Sequence, residues 1–161
     1  MANRHCKALT ARAVIEQEPV LLAKPETFMN LSGMSVRELW AKYGEANEWE
    51  LSRDLIVIYD ELDFPLGTMK VQQRGSSAGH NGIESVMGAM GTDEILRVRI
   101  GIAPEHPVSD GAGFVLTPWK KKDLAVVDEM LDRAAEAVEA ILLEGPAAAM
   151  NKFNRKAESA G

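Results

Sequence analysis

The sequence predicts an α/β fold: one domain over residues 1–161, with a mixed twisted sheet flanked by helices. Three observations predict it. Short apolar runs alternate with stretches whose apolar residues recur every three or four positions, the pattern of strands interleaved with helices that pack on them. The run Leu55-Ile56-Val57-Ile58-Tyr59 is continuous and rich in β-branched residues, as in a strand covered on both faces. No repeat, low-complexity tract or linker divides the 161 residues, a length that favours a single core.

In chain order, 8–15 and 19–24 read as two short strands, with Glu16-Gln17-Glu18 as the turn between them despite the absence of Asn-Gly chemistry. Leu31, Met34, Val36, Leu39, Trp40 and Tyr43 share one helical face. They predict a helix over 31–43, with Asn30 or Ser32 as its cap and Gly44 as its end. Polar residues 45–54 read as loop. After the 55–59 strand, 68–73 is a further strand and Gly75–Gly79 a small-residue loop. Asn81–Met90 is a helix and the alternating 95–102 segment another strand. Pro104–Gly113 is loop, and Thr117-Pro118 has the chemistry of a helix start. Leu124, Val127, Leu131, Ala134, Val138 and Ile141 mark a long amphipathic helix. Gly145-Pro146 ends it, and a short helix runs from Ala147 to about Phe153.

Composition excludes several classes of function. Hydrophobic residues make up 46% and charged residues 26%, which is globular usage. The net charge of −6 argues against a protein that coats nucleic acid by bulk charge, although a local basic patch is compatible with it. Lys70, Arg74, Arg97 and Arg99 form such a patch, and Lys120-Lys121-Lys122 is either a phosphate contact or a solvated run. One cysteine, Cys6, excludes an internal disulfide and suits a reducing compartment. Histidines at 5, 80 and 106 are too scattered to build a metal site, and no metal or cofactor is expected. The 55–59 run is too short to span a bilayer, and Met1–Arg12 lacks a signal-peptide core. The reading is a soluble, cytoplasmic protein.

Three clusters could carry chemistry. In Lys24 to Gly33 a strand turns into a helix. Here Asn30 reads as a helix cap and Phe28 as core, unless the Asn amide orients a water or a carbonyl. Tyr59-Asp60-Glu61-Leu62-Asp63-Phe64-Pro65 follows the buried strand. It reads as a solvated acidic turn, or as one buried carboxylate, Asp60, that orients a histidine or an Asn. Gly75-Ser76-Ser77-Ala78-Gly79-His80-Asn81-Gly82 leads into a helix N-terminus, which favours an anion or a polarised carbonyl. His80 by itself reads as a structural residue hydrogen-bonded across the loop.

Taken in order, these clusters resemble the bacterial peptidyl-tRNA hydrolase family. The resemblance rests on Phe28-Met29-Asn30-Leu31-Ser32-Gly33, then Asp60-Glu61-Leu62-Asp63-Phe64-Pro65 with Gly67. Gly75-Ser76, Gly79-His80-Asn81-Gly82, Arg99-Ile100-Gly101-Ile102 and Gly113-Phe114-Val115-Leu116 complete it. It covers about Leu9 to Asn154. It implies hydrolysis of the ester between a peptide and the 3′ end of tRNA, which recycles tRNA from stalled translation. On that resemblance Asn30 and Asn81 bind the peptide and the 3′-terminal region, with Phe28 and His80 beside them. Asp60 holds the catalytic histidine, and Arg99 and Lys70 meet tRNA phosphate.

The sequence departs from the family at its start. The family's Gly-x-Gly-Asn-Pro-Gly turn and Thr-Arg-His-Asn motif, whose histidine is the general base, have no match here. Arg4-His5 is followed by Cys6-Lys7 and lies too near Asn30, so His5 reads as an ordinary residue at a strand start. The expectation is a member that lacks the family's first strand and first helix and has Asp60 without its imidazole. It would be a monomer, with self-association open through an exposed sheet edge. The alternative is a non-catalytic RNA-binding or splicing-cofactor-like scaffold on the same fold. An unrelated phosphate-binding hydrolase would rest on the Gly75–Gly79 loop alone.

Overall fold

The computed structural model describes residues 2–104 and 119–154. The expected loop beyond Pro104, the Gly113–Leu116 segment, the Thr117-Pro118 helix start and His106 lie outside the described residues. The architecture is mixed α and β. Its six described strands form two three-stranded sheets where the sequence suggested one. Two compact units organise the chain, Met1–Val57 with Gln73–Leu96 and Ile58–Gln72 with Arg97–Gly161.

The first unit opens with β1 (Asn3–His5), β2 (Ala8–Ile15) and β3 (Glu18–Pro25), an antiparallel meander. Both of its connections are two-residue turns in the left-handed region: Cys6 and Lys7 at φ 53° and 58°, Glu16 and Gln17 at φ 50° and 67°. This is the turn geometry that matches the twist of a hairpin, built here without glycine. The sequence reading missed β1, because Asn3-Arg4-His5 carries no apolar signal.

A 3-10 turn (Met29–Leu31) leads into α1 (Ser32–Leu39), which continues as a π-helical turn over Trp40–Gly44. The N-cap of α1 is Leu31, with no side-chain cap bond. Asn30 therefore does not cap this helix; it lies within the 3-10 turn. Ser32 donates its Oγ to Met29 O at 2.8 Å. The expected 45–54 loop contains a single helical turn, α2 (Leu51–Asp54). Helix α3 (Asn81–Met90) has the predicted bounds and packs on α1, where Leu39, Ile83 and Val86 are buried. Buried Ser35 donates to Cys6 O at 2.8 Å, which ties α1 to the first hairpin turn.

The second unit holds most of β4 (Ile56–Pro65), β5 (Met69–Gln72) and most of β6 (Leu96–Ala103), in the order β4-β6-β5. The central strand is β6, which explains why Val98 is fully buried. The expectation that 55–59 is covered on both faces fails. Strand β4 lies at the sheet edge among the described residues, Ile58 is 50% exposed and its neighbours are half-buried. A 3-10 turn (Lys121–Asp123) precedes the long helix α4 (Leu124–Glu144), and α5 (Pro146–Phe153) follows. Lys120, Lys121 and Lys122 are exposed. Met130, Ala134, Ala137 and Ile141 of α4 are buried, as are Ala149 and Phe153 of α5; both helices pack on β5. Asn154 then closes the edge of β5. Its Oδ1 accepts from Val71 N at 2.7 Å and its Nδ2 donates to Val71 O at 2.8 Å. No described helix is long and apolar enough to cross a membrane.

Candidate active site

The predicted site residues fall into the two units. Phe28, Asn30, His80 and Asn81 belong to the first; Asp60, Lys70 and Arg99 belong to the second.

In the first unit, the turn carrying Asn30 and the start of the helix carrying Asn81 are held together by two glycines. A Cβ on Gly33 would stand 2.1 Å from Ser85 O, and one on Gly82 would stand 2.6 Å from Met29 Sδ. The backbone contact requires glycine at Gly33, while at Gly82 the close atoms are side chains. Gly33 N also donates to Ser85 Oγ at 2.8 Å. Both Asn side chains are exposed. Phe28 is 80% exposed, against the expectation of a core residue, and Met29, Leu31 and Met34 are exposed beside it. They lie in, just before and just after the 3-10 turn. Apolar side chains grouped this way mark a binding surface. A groove of about 350 Å³ lies here, lined by Lys7, Glu26, Thr27, Phe28, Leu31 and Met34.

His80 is the N-cap of α3, where the sequence suggested a structural residue hydrogen-bonded across the loop. Its Nδ1 accepts from Gly82 N at 3.0 Å and from Ile83 N at 3.2 Å. His5 is no idle strand residue. Its Nε2 lies 2.8 Å from Tyr43 Oη and its Nδ1 lies 3.2 Å from Thr10 Oγ1. Thr10 spends its own proton on Asn3 O at 3.0 Å, so His5 Nδ1 donates to Thr10 and Nε2 accepts from Tyr43.

In the second unit the adjacent carboxylates Asp60 and Glu61 differ in burial. Asp60 is half-buried within β4, not at its end, whereas Glu61 is 3% exposed. Glu61 Oε1 accepts from Arg99 Nη2 at 2.5 Å. Arg99 also donates from Nη1 to Gln72 Oε1 at 2.5 Å and lies 4.4 Å from the Phe64 ring centroid, a cation–π distance. The expected exposed patch of four cations is reduced accordingly. Arg97 is fully buried and the Arg99 side chain is only 12% exposed, while Lys70 and Arg74 remain on the surface. The reason is topological: residues of a central strand are covered. Burial pushes the Tyr59 phenol above its ordinary value, opposed by the charge and hydrogen bond of Arg97. Glu61, Arg97, Tyr59 and Gln72 were not singled out from sequence as a group. The period-2 pairs Tyr59/Glu61 and Arg97/Arg99 were the available signal.

An α/β protein with a polar, asparagine-bearing surface beside exposed apolar side chains fits the hydrolase class that the motifs suggested. The comparisons make this specific. A family model described as peptidyl-tRNA hydrolase matches residues 1–160. A peptidyl-tRNA hydrolase of Koribacter versatilis is 59% identical over 158 residues, covering 98% of this chain and 77% of the relative. One from Solibacter usitatus is 48% identical, covering 98% and 78%. The crystal structure of peptidyl-tRNA hydrolase from Acinetobacter baumannii superposes with a TM-score of 0.81 at 28% identity, covering 96% of this chain and 76% of that one. The chain belongs to the peptidyl-tRNA hydrolase family.

Proposed function

We propose that this chain binds peptidyl-tRNA in the cytoplasm and serves hydrolysis of the ester between the peptide and the 3′ end of tRNA. Family membership across residues 1–160 supports this reading. One observation carries it at the level of residues. The exposed Phe28–Asn30 turn and the helix start at Asn81 are locked to each other through Gly33 and Gly82. Two amide side chains and an apolar surface can then engage the peptide and the 3′-terminal adenosine at once. In this proposal Asn30 and Asn81 hydrogen-bond the substrate, with Phe28 and His80 beside them at the binding surface. Asp60 takes the role of the carboxylate that orients the family's histidine base. Lys70 meets tRNA phosphate; Arg99, tied to Glu61 and Gln72, contributes positive potential beside it. The whole chain acts as one monomeric domain, since the family match runs through both units.

A general base supplies roughly 10²–10⁴ in rate. The two histidines among the described residues, His5 and His80, both spend Nδ1 on structural hydrogen bonds. This favours a second reading, RNA binding without turnover. Single-turnover cleavage of a labelled N-acetylaminoacyl-tRNA by the 161-residue chain, beside Asp60→Ala, separates the two. Turnover lost in the variant supports the hydrolase. Binding without turnover supports the scaffold. Binding that survives Asn30→Ala and Asn81→Ala unchanged overturns the site assignment.

A further inference from the structure

We infer that His80 is a positioning residue: its imidazole acts through the N-terminus of α3 to set Asn81, rather than through contact with the substrate. The inference rests on the substrate reading above and deepens it. An N-cap is ordinarily Ser, Thr, Asp or Asn, whose oxygen accepts from the second or third helical amide. His80 fills the role with a nitrogen. Its Nδ1 accepts from both Gly82 N at 3.0 Å and Ile83 N at 3.2 Å, and its backbone is extended at φ −77°, ψ 115°. An imidazole that accepts at Nδ1 carries its proton on Nε2, so the cap fixes the tautomer.

Asn81 is the first helical residue and lies between the cap and the amides it holds. Its backbone is therefore pinned on both sides. The preceding turn is fixed by His80 N donating to Ser77 O at 2.9 Å, and Glu84 N donating to His80 O at 3.1 Å opens the helix. The ring also lies near the turn that carries the other asparagine. A Cβ on Gly82 would lie 2.8 Å from His80 Cε1 and 2.6 Å from Met29 Sδ, so the imidazole and the residue before Asn30 flank the same glycine. One side chain thus holds Asn81 in place relative to the Asn30 turn.

The probe is an acceptor-stem minihelix carrying an N-acetylated amino acid through a 3′-amide, which binds without being cleaved. Loss of a cap in His80→Ala is expected to weaken binding about fivefold. His80→Asn places Oδ1 where Nδ1 stood and is expected to restore affinity to within about twofold. In an Asn81→Ala background, His80→Ala is expected to add nothing, because its effect passes through Asn81. Long-range 1H–15N correlation on the wild-type chain is expected to show His80 protonated on Nε2 with Nδ1 bare.

His80→Asn binding as weakly as His80→Ala, or additivity with Asn81→Ala, overturns the inference in favour of direct substrate contact. Protonation on Nδ1 overturns the cap itself. If His80→Ala does not fold, His80→Asn and the tautomer decide. A folded wild-type chain that does not bind the minihelix overturns the substrate reading instead. The cap is then still judged by the tautomer and by amide exchange at Gly82 and Ile83, which should quicken without the ring.

Discussion

Lys70 and Arg99 stand directly opposite each other across β5 and β6. Like charges at such positions repel, and the sheet tolerates them because Glu61, on neighbouring β4, takes the Arg99 guanidinium. The pair is nearly dry, with side-chain exposures of 12% and 4%. Glu61→Gln should then leave a buried cation without its counter-charge and cost about 3–5 kcal/mol. Urea unfolding measures it. Removing both charges together, in Glu61→Leu/Arg99→Met, should recover most of the loss. A cost for Glu61→Gln near that of an exposed pair would show that water reaches the site.

Gly33→Ala tests the contact between α1 and α3. The added methyl would stand 2.1 Å from a backbone oxygen, Ser85 O, and 2.9 Å from Ala89 Cβ. Neither can swing aside as a long side chain can. Overpacking of this kind typically costs about 1–3 kcal/mol, read as a lower Tm. Substrate-mimic binding should weaken in parallel, because the Asn30 turn shifts away from Asn81. A normal Tm would mean that the two helices slide freely.

The β2–β3 turn offers a stabilising change. Glu16 and Gln17 hold left-handed conformations at φ 50° and 67°, where a side chain costs roughly 1–2 kcal/mol per residue. Glu16→Asn with Gln17→Gly supplies the sequence such turns favour. Thermal unfolding should move upward by a few degrees, and an unchanged or lower Tm would place the strain elsewhere.

Tyr59 predicts alkaline behaviour. At neutral pH its phenol is uncharged in folded and unfolded chains alike. Burial holds the folded phenol neutral to higher pH, against the opposing pull of Arg97. Above about pH 10 the unfolded chain loses this proton first, so it binds fewer protons and stability falls as pH rises. Tyr59→Phe should flatten that fall between wild type and variant. At neutral pH it should cost about 2 kcal/mol, the worth of a hydrogen bond to a charged group. Urea midpoints across the alkaline range check both. Parallel curves would mean the phenol is solvated.

Much of the fold was legible because periodicity survives burial. The Asn81–Met90 helix and the 8–15 strand emerge with the predicted bounds. The errors share a cause, since a residue's type does not reveal what covers it. Phe28 looks like core, but it caps a 3-10 turn at the surface. Arg97 looks like surface, but a central strand buries it. Asp60 and Glu61 are neighbours of the same charge, and alternation along β4 decided which went inside. His80 as a cap was open to sequence reasoning only as a structural alternative, because histidine is not a preferred cap residue.

The grip of Asn154 on Val71 joins residues 83 positions apart. Chains emerge from the ribosome at about 5–20 residues per second, N-terminal end first. Strand β5 therefore waits, its edge groups bare, until more than half of the chain has followed it out of the tunnel. The first unit ends at Leu96. Vectorial synthesis thus lets the asparagine-bearing surface form early, while the charged sheet closes only when its last helix arrives.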